Sequence, residues 1–190
     1  MRRNTARVDR AIGCCGIVWS GCGVAGVQLP AKSERATRGQ VCRRFPAARE
    51  AAPPPAVQRA IEDIGASLRG EARELGHITI DRQTVPDFHG RVYDVARGIR
   101  PGATRSYGEI AERLGDRNLA RDVAQALGQN PFPLIVPCHR VLAAGGKMGG
   151  FSAPGGVRTK LRLLSIEGAQ YGEPMLFDRL PWAASGRRPA

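Results

Sequence analysis

The spacing of apolar residues divides the chain near position 85. Before that point the apolar residues come in short β-prone runs, and residues 16–19 and 23–29, separated by a glycine-bearing turn, predict a hairpin. The other elements predicted in this part are helices at 32–44 and 56–69 and a strand at 77–81. We therefore expect residues 10–85 to form a small α/β domain that supports the rest of the chain.

From Pro86 onward the apolar spacing becomes helical. Four apolar residues recur at intervals of four, three and four, which places them on one face of a predicted packing helix. They are Phe88, Val92, Val95 and Ile99. The turn-forming pair Pro101 and Gly102 should end this helix.

Two further short helices are predicted after that turn. Ser106 and Glu109 have the spacing of a capping box, in which each side chain binds the other residue's backbone N–H, so a helix should begin there. Residues 119–128 predict a second helix, which follows a tight turn at 115–118. Such a pair predicts a helix-turn-helix, although many helical domains that never bind DNA contain similar pairs.

The charge of the chain indicates an anionic partner. The net charge is +12, from 29 Lys and Arg residues against 17 Asp and Glu residues. Arginine supplies fixed charge and planar donors that suit phosphate, so we expect an anionic polymer to bind. The arginines in residues 2–10 and 187–188 belong to termini that we expect to be disordered, and we do not count them as a binding face.

The sequence contains no run that is typical of a membrane-spanning helix. The small and apolar stretch at 12–29 is interrupted by five glycines. The chain also has five cysteines, an odd number that leaves at least one thiol unpaired. We expect a cytoplasmic protein whose cysteines are reduced.

The strongest chemical signal is an apolar segment that ends on Pro137, Cys138, His139 and Arg140. A thiolate becomes a strong nucleophile when a base or a cation lowers its pKa. On an extended strand, neighbouring side chains point to opposite faces, so Cys138 and His139 can cooperate only at a turn or through a water. Taken alone, an inert buried Cys beside a surface His is the simpler interpretation.

The motifs around Cys138 change that interpretation. They lie at residues 105–111, 120–124, 129–131, 137–141, 145–147, 150–152 and 163–168. In this order the chain resembles the O6-alkylguanine-DNA alkyltransferases over about residues 86–170, whereas its first half matches that family weakly. The resemblance implies an irreversible, single-turnover transfer of an alkyl (methyl) group from O6 of guanine in duplex DNA to Cys138, with no cofactor.

The resemblance also assigns catalytic roles. Cys138 would accept the alkyl group, His139 would act as the base through a water, and Glu167 would orient His139. Asn130 would brace the site by hydrogen bonds, and Tyr107 would assist the departing guanine. Glu167, Asn130 and Tyr107 each have an ordinary interpretation as well. In that interpretation Glu167 is a surface acid at a helix end, Asn130 is a turn former before proline, and Tyr107 is a ring packed on the core.

Five further residues are predicted to bind DNA or the target base, three of them (Arg121, Ser152 and Val141) because they match positions of the family and two because their side chains are small. Arg121 would fill the space left by a base flipped out of the duplex, from a helix in the minor groove. Ala120 and Ala124 would allow this helix to approach closely. Ser152 would close over the base, and the backbone carbonyl of Val141 would accept from the guanine amino group. Without the resemblance, Arg121 is most simply a solvated surface charge.

Three departures from the family pattern bear on DNA affinity and specificity. Asp122 places a carboxylate beside Arg121, and Phe151 stands where a Tyr with its hydroxyl is common. Residues 153–154 lengthen the loop after Ser152. None of these departures removes the nucleophile.

The other four cysteines do not predict a metal site. Cys14, Cys15, Cys22 and Cys42 form no CxxC pair and have no His nearby in the sequence. We therefore predict no metal.

These observations predict an α+β protein with a mainly helical carboxy-terminal domain that holds a helix-turn-helix and a buried active-site Cys. The predicted parts are a disordered basic terminus at 1–9, the supporting α/β domain at 10–85, the DNA-binding and alkyltransferase domain at 86–170 and a tail of unassigned role at 171–190. We expect a monomer that acts on double-stranded DNA containing O6-alkylguanine. Two alternatives remain open: a non-catalytic protein that flags alkylguanine for another repair pathway, and a Cys-His hydrolase that turns over.

Overall fold

A four-stranded sheet forms the base of the amino-terminal half in the computed structural model, which describes residues 3–10 and 13–171. The strands are β1 (Asn4–Arg10), β2 (Gly13–Ser20), β3 (Gly23–Gln28) and β4 (Arg49–Glu50). They lie in the order β3-β2-β1-β4, with β1, β2 and β3 antiparallel to their neighbours and β4 parallel to β1. The pairing of β2 with β3 confirms the predicted hairpin.

Strand β1 shows that the predicted disordered terminus at 1–9 is wrong for residues 4–9. These residues pair continuously with β2, from Asn4 opposite Trp19 to Arg10 opposite Gly13. The basic composition was a poor guide because strand pairing uses backbone N–H and C=O groups, which are present whatever the side chains. Residues 172–190, which include nearly all of the predicted tail, lie outside the described residues.

Two helices cover this part of the chain as predicted, α1 (Glu34–Arg44) and α2 (Pro55–Leu68). Helix α1 begins two residues later than expected because the Ser33 side chain accepts from Ala36 N at 3.2 Å and caps it. The strand predicted at 77–81 is wrong, since this segment forms only a single bridge, between Ile80 and Val24 of β3.

The described part of the carboxy-terminal half contains four α-helices and two strands of two residues each that pair in parallel. The elements are α3 (Asp87–Arg97), β5 (Arg105–Ser106), α4 (Tyr107–Arg113), α5 (Ala120–Gly128), β6 (Val141–Leu142) and α6 (Val157–Ile166). The predicted capping box is present, because Ser106 Oγ accepts from Glu109 N at 3.1 Å and Glu109 Oε2 accepts from Ser106 N at 2.6 Å. A 3-10 turn at Arg117–Leu119 joins α4 to α5.

A single hydrophobic cluster connects the two halves. It contains Trp19 and Ile64 from the first half and Tyr93 and Ile135 from the second. The edge strand β3 also contacts the second half directly, since Val27 N of β3 donates to Pro131 O at 2.8 Å. The amino-terminal sheet therefore supports the segment that leads to Cys138.

The turn between β2 and β3 requires a glycine at position 23. Its φ is +125°, and a Cβ there would lie 2.6 Å from the backbone oxygen of Thr79. We expect Gly23→Ala to lower the free energy of unfolding by about 2–3 kcal/mol, because both the backbone conformation and the contact become unfavourable. Urea unfolding monitored by circular dichroism measures this change.

Gly39→Ala in α1 is the matched control. A Cβ at Gly39 meets only the flexible end of Arg43, at 3.5 Å. We expect a gain of about 0.5–1 kcal/mol there, since alanine is the better helix former. Equal effects of the two substitutions would contradict the packing described at Gly23.

Candidate active site

Cys138 lies where the chain turns. Its amide donates to Val136 O at 2.8 Å, and Arg140 N donates to Pro137 O at 2.9 Å, so that residues 138–140 form one 3-10 turn. The turn removes the strict alternation of an extended strand, which was the geometric objection to cooperation between Cys138 and His139. Both side chains are buried, with exposed fractions of 8% and 1%.

A buried carboxylate at the end of α6 joins His139 and Arg140. Glu167 Oε1 lies 3.0 Å from Nε2 of His139 and accepts from Nη2 of Arg140 at 2.7 Å, while Oε2 accepts from Nε of Arg140 at 2.9 Å. Arg140 Nη1 also donates to Ile99 O at 2.5 Å, at the end of α3. The arrangement agrees with the expectation that Glu167 lies against His139, and it shows Arg140 acting as a structural brace.

The charge state of Glu167 fixes the tautomer of His139. Burial alone would raise the pKa of the Glu167 carboxyl, but hydrogen bonds from His139 and Arg140 outweigh burial and lower this pKa to about 2. An ionised carboxylate only accepts hydrogen bonds, so Nε2 of His139 must carry a proton. Burial lowers the pKa of His139, which favours the neutral ring. Nδ1 is then unprotonated, and it is buried without a hydrogen-bond partner among the described residues.

Asn130 lies against the thiol. Its Nδ2 donates to Val136 O at 2.9 Å and approaches Sγ of Cys138 at 3.4 Å, and its Oδ1 accepts from Phe132 N at 2.8 Å. Burial raises the pKa of the Cys138 thiol, whereas the amide of Asn130 and the charge of Lys160 favour the thiolate. The resting thiol is therefore protonated, and its activation requires a base.

A cavity of about 440 Å³, which we call the Tyr107 cavity, reaches the thiol of Cys138. Its walls include Tyr107, Ala124, Leu127, Cys138, Phe151 and Ser152. Three residues from separate predicted motifs, Tyr107, Ala124 and Ser152, therefore meet at the nucleophile. Burial raises the pKa of Tyr107, so the phenol remains a hydrogen-bond donor at neutral pH.

Three of the five residues predicted to bind DNA or the target base do not line the Tyr107 cavity. Val141 is fully buried in β6, and its carbonyl already accepts from Nζ of Lys160 at 2.6 Å, which leaves one lone pair for another donor. Ala120 and Arg121 lie at the start of α5 outside the cavity, and Arg121 is exposed. Their position suits contact with a partner at the surface rather than contact with the thiol.

The chain is similar in sequence and in structure to proteins of one family. Residues 87–169 match the family described as 6-O-methylguanine DNA methyltransferase, DNA binding domain. The chain is 43% identical over 114 residues to a methylated-DNA–protein-cysteine methyltransferase of Mycolicibacterium paratuberculosis, covering 60% of this chain and 67% of that protein. A crystal structure of Mycobacterium tuberculosis OGT in complex with DNA superposes with a TM-score of 0.68 at 31% identity, covering 91% of this chain and 96% of that chain.

The chain belongs to the methylated-DNA–protein-cysteine methyltransferase family. A further relative from Methanothermobacter thermautotrophicus is 38% identical over 119 residues, which are 63% of this chain and 65% of that protein. The aligned segment thus spans about two thirds of these curated relatives. The comparisons confirm the predicted family and the predicted α+β fold, including the likeness of residues 86–170. Within the described residues, no helix has the length and apolar character needed to cross a membrane.

Lys160 is a buried residue of this site that the sequence did not single out. Its side chain is inaccessible to solvent, and Nζ donates to Val141 O at 2.6 Å and to Met148 O at 2.7 Å. Burial lowers the pKa of Lys160 to about 8. The signal in the sequence was slight: Lys160 precedes Leu163 and Leu164 at the spacing of one helix face, which marks it as an inward position of α6.

The other four cysteines do not line the Tyr107 cavity. Cys15 is buried in β2, Cys14 is partly buried beside it, and Cys42 and Cys22 are exposed. Among the described residues, no group of three or more His, Cys, Asp or Glu side chains is arranged to hold a metal ion. The absence of a metal stays a prediction.

Glu167→Gln should change the stability of the protein in a pH-dependent way. The pKa of Glu167 falls from 4.5 to about 2 on folding, so its charge stabilises the fold above pH 4.5, and this stabilisation is lost as the pH falls from 4.5 to about 2. We expect Glu167→Gln to cost about 3 kcal/mol at pH 7 and progressively less below pH 4.5. Urea unfolding at a series of pH values measures the difference.

Glu112→Gln is the control for that experiment. Glu112 pairs with Arg117 at 2.8 Å on the surface, where both side chains are exposed. Its replacement should change stability by less than about 1 kcal/mol. A cost at Glu167 that does not vary with pH would contradict the ionised, buried carboxylate.

Proposed function

We propose that this protein repairs O6-alkylguanine in double-stranded DNA by transferring the alkyl group to Sγ of Cys138. The observation that carries the proposal is the thiol itself, which reaches the Tyr107 cavity and has Nδ2 of Asn130 at 3.4 Å. His139, the next residue, presents an unprotonated Nδ1 because Glu167 holds its other nitrogen. Membership of the methyltransferase family supports the same assignment.

The reaction is a displacement at the alkyl carbon. The bond from Sγ to carbon forms while the bond from carbon to O6 breaks, and the electron pair of the broken bond goes to guanine. The thiol proton leaves through a water toward His139, and guanine gains a proton in turn, so the products are a thioether and unmodified guanine. Water does not readily cleave a thioether, and each protein molecule therefore reacts once.

The side chains around Cys138 favour both the attack by sulfur and the departure of guanine. His139 serves as the base, and Asn130 and Lys160 stabilise the thiolate that forms in a buried site. Tyr107 remains protonated and donates a hydrogen bond to the developing charge on the guanine oxygen. No residue in this scheme needs a cofactor.

Helix α5 provides the contact with duplex DNA. An O6-alkyl group inside a duplex does not reach a buried thiol, so the nucleotide rotates into the Tyr107 cavity. Arg121, exposed at the start of α5, fills the vacated space from the minor groove, and the small Ala120 and Ala124 allow close approach. Ser152 closes over the base, and Val141 O uses its second lone pair for the guanine amino group. One chain carries all of these residues, so the protein acts as a monomer.

The presence of Cys138 argues against a protein that only recognises alkylguanine and flags it for another pathway. That role requires the cavity and the DNA-binding helix but no acceptor thiol. A Cys-His hydrolase would use the same pair in a catalytic cycle and would release its product. The stoichiometry of the reaction separates these alternatives from alkyl transfer.

Intact-protein mass spectrometry with excess duplex DNA containing one O6-methylguanine tests the transfer. We expect the wild type to gain one methyl group, located on Cys138, and to stop at one equivalent. Cys138→Ala should gain none. Cys42→Ala removes an exposed thiol on α1 and should behave as the wild type. Lesion binding by the wild type without a mass gain would instead support the recognition protein, and continued turnover would support the hydrolase.

Arg121→Ala tests the flipped-base geometry. We expect roughly tenfold slower methyl transfer from duplex DNA, because the unstacked state loses the side chain that stabilises it. The decrease in rate should be smaller on a single-stranded oligonucleotide with the same lesion, because the target base has no pairing partner there. Arg73→Ala removes an equal charge outside α5, on a residue that pairs with Glu71, and should have little effect. Equal losses on both kinds of DNA would contradict the assigned role.

A further inference from the structure

A second cavity opens beside the thiol, on the side of α1. This cavity, which we call the Arg44 groove, has a volume of about 640 Å³ and lies between β3, α1 and the loop at 151–154. It shares four wall residues with the Tyr107 cavity: Gly128, Cys138, Phe151 and Ser152. The two cavities therefore meet at the nucleophile.

The geometry of displacement directs an alkyl substituent sideways from the reacting atoms. The attacking sulfur, the carbon and the departing oxygen lie on one line, so the other groups on that carbon extend perpendicular to the line. When guanine occupies the Tyr107 cavity, the Arg44 groove is an adjoining space into which a chain longer than methyl can extend. Its volume falls within the range of roughly 300–1,000 Å³ that is typical of ligand sites.

The charges around the groove indicate which kind of chemical group on such a chain the groove suits. Arg43 and Arg44 of α1 both line it, together with the amide side chains of Gln28, Gln40 and Gln129. In the part of the chain that the structure describes, no Asp or Glu lines this groove. A wall of cations and amides without an acid suits an anionic ligand.

Arg44 is held in place by neutral groups. Its Nη1 donates to Val27 O at 3.4 Å and to Gln28 Oε1 at 3.2 Å, and its guanidinium stacks on Phe45 at 5.5 Å. Among the described residues, no carboxylate lies within ion-pair distance of Arg44. Arg38 of the same helix differs, since it pairs with Glu50 at 3.0 Å and does not line the groove. The guanidinium of Arg44 thus keeps donors for a ligand.

We propose that the Arg44 groove receives the distal end of O6-alkyl groups that are longer than methyl and end in a carboxylate, with Arg44 and Arg43 binding that carboxylate. The proposal rests on alkyl transfer to Cys138 and names a substrate class for it. Arg44 and Arg43 are specificity-determining residues, because they touch the part of the substrate that does not react. The same groove accommodates neutral chains of equal length without stabilising them.

The test compares two duplexes that differ only at the end of the alkyl chain. One carries O6-(3-carboxypropyl)guanine and the other O6-(3-carbamoylpropyl)guanine, which has the same shape without the charge. Single-turnover rates of Cys138 alkylation are measured by intact-protein mass spectrometry, with O6-methylguanine duplex as the reference. We expect the wild type to react roughly tenfold faster with the carboxylate than with the amide.

Arginine variants assign this preference to the groove. The rate ratio of carboxylate to amide should fall towards one in Arg44→Gln and should decrease in Arg43→Gln, whereas Arg44→Lys should retain part of it because it keeps the charge. Arg38→Gln is the matched control on the same helix and should leave the ratio as in the wild type. Dividing the alkylation rates of each variant by its own rate with the O6-methylguanine duplex removes general effects on folding and on DNA affinity.

A wild-type ratio near one would overturn the proposal. A ratio that Arg44→Gln and Arg43→Gln leave unchanged would also overturn it, and equal losses on all three duplexes would show that the arginines bind the DNA backbone. Failure of methyl transfer itself would contradict alkyl transfer to Cys138. In that case, equilibrium binding of the two duplexes tests the role of the Arg44 groove separately from transfer. Tighter binding of the carboxylate duplex than of the amide duplex, lost in Arg44→Gln, would still support carboxylate binding in the groove. Equal binding of both duplexes would overturn it.

Discussion

The buried carboxylate of Glu167 is the group on which the proposed site depends. It is 6% exposed and receives hydrogen bonds from His139 and twice from Arg140. A buried carboxylate is stable only when it is paired, so these three side chains require one another. Glu167 follows the last turn of α6, where the helix dipole disfavours a negative charge, and its partners outweigh that penalty. The pairing links α6, the turn at Cys138 and the end of α3.

The amino-terminal sheet also contacts the segment that carries the site. Val27 of β3 donates to Pro131 O, one residue after Asn130, and Gly26 approaches this carbonyl closely enough that a Cβ would lie 3.4 Å from it. Asn130 in turn binds the backbone at Val136 and approaches Sγ of Cys138. The sheet thus helps to position the amide that favours the thiolate. It also forms one wall of the Arg44 groove, so the amino-terminal half of the chain takes part in the specificity that we propose for that groove.

The sequence predicted elements with a local cause and missed those set by long-range contacts. The capping box at Ser106 and Glu109 and the hairpin of β2 and β3 depend on neighbouring residues, and both are present. Strand β1 was missed because its partner strand, not its basic composition, determines it. Cys138, His139 and Glu167 could be named from motif resemblance alone. Lys160 and the Arg44 groove could not, because burial and the meeting of α1 with the loop at 151–154 arise only in the folded chain.

Alkyl transfer to Cys138 depends on the tautomer of His139, because only a neutral ring with an unprotonated Nδ1 can act as a base toward the thiol. Nitrogen-15 NMR of protein labelled at histidine, with His139→Gln used to assign the signals among the three histidines, reports the protonation of each ring nitrogen. At neutral pH we expect a protonated Nε2 and an unprotonated Nδ1 for His139. A proton on Nδ1, in either the other neutral tautomer or the imidazolium, would contradict the role of His139 as the base.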